Sequence, residues 1–130
     1  AYDLGCSDVT ITTPKKHDKL IAFTSQLPHI LAGTYVKSPA SDEHKGFSAG
    51  SYHDVSRVAS VDENLWSELF LLNKENLLSE IDIFLKNLTA YRDAISNEDR
   101  QGVSENIKEG RLIKERDIKK NGKEKPHKFG

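Results

Sequence analysis

The sequence of 130 residues contains a single cysteine, Cys6, so no disulfide bond can form within the chain. This scarcity is typical of proteins kept in a reducing compartment, and it predicts a cytoplasmic location. No apolar run reaches the roughly 18 residues that a membrane-spanning helix needs. The first residues also lack the basic segment and apolar core of a secretory signal peptide. We therefore expect no membrane partner and no secretory leader.

Two kinds of motif are missing as well. There is no G-x-G-x-x-G loop and no P-loop, so the sequence offers no glycine-rich cradle for nucleotide phosphates. The five histidines include no H-x-x-x-H pair, and there is no cysteine cluster. Both would be expected at a zinc-type site, so no metal is predicted.

Charge is nearly balanced overall but uneven along the chain. The formal net charge is -1, which favours neither nucleic acid nor membrane as a partner. Residues 108–128 hold nine Lys or Arg against four Asp or Glu, a local charge of +5. Because acids are interleaved and no aromatic residue precedes Phe129 there, we expect no nucleic-acid binding. We interpret residues 119–130 as a flexible, solvated basic tail.

The N-terminal segment carries a short β pattern. Val9 and Ile11 alternate with threonines until Pro14 ends the run. A single strand of this length is not stable alone and needs a sheet, for which the rest of the sequence offers no good partner. We therefore interpret residues 1–14 as the end of a preceding α/β domain and a linker.

Residues 15–118 are predicted to form a helical domain. Apolar residues recur at spacings of three and four over residues 15–37, where Pro28 predicts either a kink or a helix that ends and restarts. Residues 38–52 are rich in loop-forming residues, and a short helix is predicted at 53–60.

Further helices are predicted in the second half of the chain. Asp62 has N-cap chemistry for a helix that reaches about residue 96, with Asn73 interrupting its apolar stripe. After a break at Ser96, a last polar helix is predicted over residues 98–118. The helix faces are too apolar for a small monomer, so a helical bundle that forms a homodimer is expected.

Two groups of polar residues are candidates for a binding site. On one helix, Asp18, Ser25 and His29 lie at spacings of seven and four, so a half-buried imidazole beside a hydroxyl and a carboxylate could donate to an anion. Asp54 and Arg57, three apart, can pair so that the guanidinium is fixed for bidentate carboxylate recognition. The structural alternatives are a satisfied core histidine and a surface ion pair of little energetic value.

Four motifs, taken in order, resemble the C-terminal domain of the prephenate dehydrogenase family. Thr13–Asp18 matches T-P-x-x-H-D, and Ser25–His29 matches S-H-L-P-H except at Gln26. Gly50–Ala59 matches G-x-x-R-D-x-T-R-I-A, with His53 in place of the first arginine and the milder changes of Ser56 for Thr and Val58 for Ile. Three single residues follow at matching places: Asp62, Trp66 and Asn73. The likeness covers about residues 4–95, and the four motifs together are specific where each alone is weak.

The resemblance implies a mainly α fold, a helical bundle of the 6-phosphogluconate-dehydrogenase-like C-terminal type that serves as a dimerisation domain. It implies that one short N-terminal strand, residues 4–13, is the last strand of a Rossmann domain. It also implies a substrate pocket made of Ser25, His29, Gly50, Asp54, Arg57 and Trp66.

Each pocket residue has an implied role. Arg57 binds a carboxylate of prephenate, Asp54 orients Arg57, and His29 and Ser25 contact polar groups of the substrate. Gly50 and Trp66 are expected to close the pocket from the partner subunit. A lone tryptophan, however, is more often a core or interface residue. The departures at Gln26 and His53 bear on substrate and inhibitor recognition.

The implied reaction is the NAD- or NADP-dependent oxidative decarboxylation of prephenate to 4-hydroxyphenylpyruvate in tyrosine biosynthesis, with L-tyrosine as an inhibitor. The family's general-base histidine and phosphate-binding glycines belong to the nucleotide domain. We therefore expect this chain alone to be inactive, because the cofactor must be positioned by protein.

Other interpretations stay open at this point. Arogenate dehydrogenase differs only in the side-chain amino group of its substrate. A β-hydroxyacid dehydrogenase would carry G-x-x-x-K-x-x-N, of which Gly33 and Lys37 fit but Ala40 does not. A non-catalytic helical dimerisation module would explain the apolar stripes but not the grouping of Ser25, His29 and Arg57.

Overall fold

The computed structural model describes residues 13–44, 46–47 and 50–121, which are mainly helical, with no strand among them. The α-helices are α1 (Pro14–Ile21), α2 (Leu27–Val36), α3 (Gly50–Ser56), α4 (Glu63–Leu72), α5 (Lys74–Ser96) and α6 (Arg100–Lys120). The predicted mainly α fold is thus confirmed. The strand predicted within residues 1–14 lies outside the described residues, except that Thr13 and Pro14 already belong to the start of α1. The domain limits 15–118 stay a prediction.

The helix predicted over residues 15–37 is present, but a π-helical turn at Ala22–Gln26 divides it into α1 and α2. The Thr13 side chain caps α1 by accepting a hydrogen bond from the Lys16 amide at 3.2 Å. Pro14 occupies the first turn, where a missing backbone donor costs nothing. The π-turn, rather than a simple kink, accommodates Pro28 in the first turn of α2.

The helix boundaries after α2 follow local capping chemistry. Asp62 caps α4 by accepting from the Leu65 amide at 3.0 Å, which confirms its predicted role. Asn73 leaves helical geometry, with φ -110° and ψ 31°, and separates α4 from α5 as predicted. The break after Ser96 is also confirmed, and Asp99 caps α6 through the Gly102 amide at 3.0 Å.

The chain divides into two compact units, with the boundary after Ile81 inside α5. In the first unit, α2 packs against α3 and against a 3-10 turn at Arg57–Ala59. In the second unit, the Tyr91 hydroxyl donates to the Asn106 carbonyl at 3.2 Å, which links the end of α5 to α6. Ala94 is buried there.

A polar cross-link holds the first unit together. Asn73 Nδ2 donates to Gln26 Oε1 and to the Asp18 carbonyl, both at 2.9 Å, and Asn73 Oδ1 accepts from Asn76 Nδ2 at 2.9 Å. Gln26 is only 5% exposed, and its Nε2 donates to the Leu69 carbonyl at 3.3 Å. These bonds tie the π-turn to the junction of α4 and α5.

Little apolar surface is buried by one chain. The buried apolar residues of the described ranges are Ala22, Leu27, Ala32, Leu77 and Ala94, and no large side chain in those ranges is completely buried. Leu71 and Leu72, by contrast, are 74% and 78% exposed. Exposed apolar surface on this scale marks an interaction surface. Within the described residues, no helix is long and apolar enough to cross a membrane.

We predict that Asn73→Ala destabilises the protein, because it removes the donor to the buried Gln26 side chain. Leaving a buried acceptor unsatisfied costs about 1–3 kcal/mol of unfolding free energy, measurable by urea denaturation at fixed protein concentration. Asn97→Ala is the matched control: Asn97 is exposed, and its side-chain amide makes no hydrogen bond to the described residues. An equal, small effect of both substitutions would contradict the cross-link.

Candidate functional site

His29 is held in one orientation by its own helix. It is half-buried in the first turn of α2, and its Nδ1 lies 2.7 Å from the Ser25 carbonyl oxygen. A carbonyl only accepts hydrogen bonds, so Nδ1 carries the proton. Nε2 makes no hydrogen bond to any described residue. This nitrogen can therefore accept from a ligand hydroxyl when the ring is neutral, or donate to an anion when it is charged.

Trp66 provides a flat surface for the His29 ring. The two rings stack with centroids 4.0 Å apart and planes inclined by 26°. Phe70, one turn further along α4, meets Trp66 edge-on at 5.7 Å. Trp66 therefore contacts His29 within one chain, and its predicted role in closing the pocket of a partner subunit stays a prediction. The stack restrains the plane of the imidazole.

The Asp18 carboxylate makes no hydrogen bond or ion pair with Ser25 or His29, beside which the helical spacing placed it. The π-turn at Ala22–Gln26 interrupts that spacing between Asp18 and His29. The Asp18 carboxylate lies 3.6 Å from His17 Nδ1 instead. Its main role in the first unit is through its carbonyl, which accepts from Asn73.

Arg57 lies on the turn that packs against the helix of His29. It is exposed and begins the 3-10 turn Arg57–Ala59, which contacts α2. No ion pair joins Asp54 to Arg57, so the expectation that Asp54 orients the guanidinium is wrong for this structure. The reason is local: α3 ends at Ser56, so the two residues do not share a regular helical turn. Arg57 has no carboxylate partner among the described residues.

Gly50 begins α3 and is half-buried, and Asp54 is exposed on the same helix. Because α3 packs against α2, both residues belong to the elements that surround His29. The structure thus brings together Ser25, His29 and Trp66, and it places Arg57, Asp54 and Gly50 on the neighbouring segment.

The two departures from the family motif have different surroundings. Gln26 points into the core and bonds to Asn73, so its role is structural rather than ligand recognition. His53 is exposed and meets Tyr52 edge-on at 5.7 Å. Tyr52 in turn stacks on His44 beside a cavity of about 150 Å³.

Comparison with known proteins fits this geometry. Residues 13–109 match the family model described as prephenate dehydrogenase, dimerization domain. The chain belongs to the prephenate dehydrogenase dimerization-domain family. The resemblance drawn from the four motifs is thereby confirmed.

Curated relatives within this family are longer proteins. The chain is 33% identical over 107 residues to the cyclohexadienyl dehydrogenase of Zymomonas mobilis, covering 78% of this chain and 36% of that protein. It is 34% identical over 110 residues to the prephenate dehydrogenase of Lactococcus lactis, covering 81% and 31%. The chain therefore spans about a third of the length of these relatives.

Solved structures share the fold. The prephenate dehydrogenase of Aquifex aeolicus, in complex with hydroxyphenyl propionate and NAD+, superposes with a TM-score of 0.70 at 30% identity, over 84% of this chain and 40% of that one. The Synechocystis arogenate dehydrogenase superposes with a TM-score of 0.74 at 18% identity, over 84% and 42%. The second likeness supports the helical fold alone.

We predict that His29 and Trp66 are energetically coupled within one chain. A double-mutant cycle with His29→Ala and Trp66→Ala, read by urea denaturation, should give a coupling of about 0.5–1.5 kcal/mol, typical of stacked rings. A second cycle pairing Trp66→Ala with His17→Ala is the control, since His17 has no ring contact with Trp66; there, additivity within about 0.5 kcal/mol is expected. Additive effects in the first cycle would disprove the stack.

Proposed function

We propose that this chain is the substrate-binding and dimerisation part of an NAD(P)-dependent prephenate dehydrogenase. The whole enzyme would convert prephenate to 4-hydroxyphenylpyruvate by oxidation and decarboxylation in tyrosine biosynthesis. One observation supports this proposal: Arg57, which has no carboxylate partner among the described residues, lies on a turn packed against α2, where His29 Nε2 makes no hydrogen bond to that part of the chain. Family membership supports a prephenate-like acid as this ligand.

The chemistry of the two cationic or ionisable groups suits a carboxylate substrate. The planar guanidinium of Arg57 can bind a carboxylate through two parallel hydrogen bonds. His29 Nε2 and the half-buried Ser25 can contact a second polar group of the same ligand. The relative from Aquifex aeolicus supports this assignment, since the hydroxyphenyl propionate in its structure is itself an aromatic carboxylic acid.

The remaining residues of the proposed pocket shape it. Trp66 forms the wall under His29. Gly50 and Asp54 lie on α3, which packs against α2, and we include both in the pocket. Gly50 is the residue that we expect to reach the site of a partner subunit.

The nicotinamide cofactor is assigned to another domain of the whole enzyme. The sequence contains no glycine-rich dinucleotide loop, and the described residues form no strand from which one could lead. The residues present therefore do not fit a dinucleotide, and we derive no hydride-transfer step through them. Whether the cofactor is NAD or NADP is decided outside this chain, although the Aquifex aeolicus relative was solved with NAD+.

We also propose a homodimer in solution. Each helix from α4 to α6 leaves large apolar side chains in water when one chain is considered alone, among them Leu71, Leu88 and Ile113. Covering such surface with a second copy removes it from water at about 25 cal/mol per Å². The matching family is itself described as a dimerization domain.

Sedimentation equilibrium is expected to give twice the chain mass of 14.6 kDa at micromolar concentration. The physical reason is that one chain buries few apolar residues of its own. A mass of a single chain throughout the accessible concentration range would contradict the homodimer.

We predict that Arg57→Ala weakens prephenate binding to the dimer, measured by isothermal calorimetry. Loss of a charged, bidentate contact costs about 1.5–3 kcal/mol, or roughly 10- to 150-fold in affinity. Arg92→Ala is the control, because Arg92 is also an exposed arginine and pairs with the adjacent Asp93 in the second unit. Arg57→Lys should lose part of the affinity, since lysine keeps the charge but not the planar fork.

Equal prephenate affinity of the wild type and Arg57→Ala would remove Arg57 from the site. Parallel titrations with arogenate and L-tyrosine address the neighbouring alternatives, because these ligands carry an amino group where prephenate has a keto group. A dimer that binds none of the three, even when supplied with the nucleotide-binding domain, would favour a non-catalytic dimerisation module.

A further inference from the structure

We propose that Pro28 is a positioning residue: by holding Ala22–Gln26 in π-helical geometry, it sets the tautomer of His29 so that Nε2 faces the substrate. This inference rests on the proposed function, which it deepens by explaining how the histidine is prepared before the ligand arrives. It concerns the neutral ring in the free protein, and it is therefore measurable without substrate.

The backbone of the turn before Pro28 departs from α-helical hydrogen bonding. Proline has no N–H, so Pro28 cannot donate to the Thr24 carbonyl, and its ring crowds that carbonyl in a regular α-helix. The chain avoids the clash by widening the turn just before the proline. The Leu27 amide donates to the Ala22 carbonyl, five residues back rather than four. Such single π-turns are frequent at functional sites.

The Ser25 carbonyl has the His29 side chain as a hydrogen-bond partner. In an unbroken α-helix this carbonyl accepts the backbone N–H of the residue four positions later, which is His29. Here Ser25 lies inside the widened turn, and its carbonyl accepts the His29 side chain at 2.7 Å. The contact is short and partly buried, so it strongly favours the Nδ1–H form of the imidazole. A histidine in solution has no fixed carbonyl that favours the Nδ1–H tautomer.

The plane of the His29 ring is restrained by Trp66. Stacking on Trp66 at 4.0 Å limits rotation of the imidazole about its bond to the side chain. The Ser25 carbonyl fixes one edge of the ring, and Trp66 fixes one face. The opposite edge, which carries Nε2, is the part of the ring left for a ligand. Pro28 touches neither the ligand nor the reacting atoms in this scheme, so its effect passes entirely through His29.

Tautomer populations can be read directly by two-bond 1H–15N correlation spectra of the labelled chain, with His29 assigned by its loss in His29→Gln. We expect the neutral His29 of the wild type to be mainly Nδ1–H. Pro28→Ala permits a regular α-helix and should move His29 toward the Nε2–H form. It should also weaken prephenate binding roughly threefold to tenfold, as expected for one misdirected hydrogen bond.

Pro39→Ala is the matched control, because Pro39 begins a separate 3-10 turn and should leave the His29 spectrum unchanged. Circular dichroism verifies that each variant is folded. If Pro28→Ala keeps the Nδ1–H form, or moves it with no change in prephenate affinity, the positioning role is wrong while the proposed function stands. If the wild type fails to bind prephenate, the proposed function fails, and with it the proposed direction of Nε2 toward substrate.

Discussion

Pro28 has no backbone N–H, and the packing of the first unit depends on this constraint. It forces a π-turn at Ala22–Gln26, and that turn changes the direction of every side chain that follows it. Gln26 turns inward to Asn73, while the Ser25 carbonyl meets the imidazole of His29. One missing donor thus determines both the polar core and the candidate site.

The polar core compensates for a small apolar one. A unit whose buried apolar residues are mostly alanine and leucine gains little from the hydrophobic effect. The amides of Gln26 and Asn73 add direction, because each has a limited set of donors and acceptors that only one packing arrangement satisfies. Stability in turn depends on surfaces such as that around Leu72, which one chain leaves exposed. The amide hydrogen bonds that select one packing arrangement form within the chain. Much of the burial of apolar side chains has to come from assembly with a second chain.

Local chemistry explains what could be predicted from the sequence. Asp62 begins α4 through its own side chain, so this helix end was predictable without tertiary contacts. Asn73 ends α4 through its backbone, while its side chain makes tertiary bonds to Gln26 and Asp18 that the sequence did not predict. The π-turn was not predictable, since apolar spacing alone does not distinguish a kink from a widened turn. This turn interrupts the helical spacing that predicted Asp18 beside Ser25 and His29. The pairing of Asp54 with Arg57 failed for a similar reason, because helical spacing was assumed beyond the true end of α3.

The exposure of Arg57 determines how strongly the site can act. A solvated guanidinium gains little from a carboxylate, typically about 0–1 kcal/mol, because water screens the pair. The same contact becomes several times stronger when a neighbouring protein surface excludes water. His29 needs no such help, since its orientation is fixed within the chain by Ser25 and Trp66. The dimer and a nucleotide-binding domain would therefore act on the site mainly by desolvating Arg57, and substrate affinity should rise with each surface that covers it.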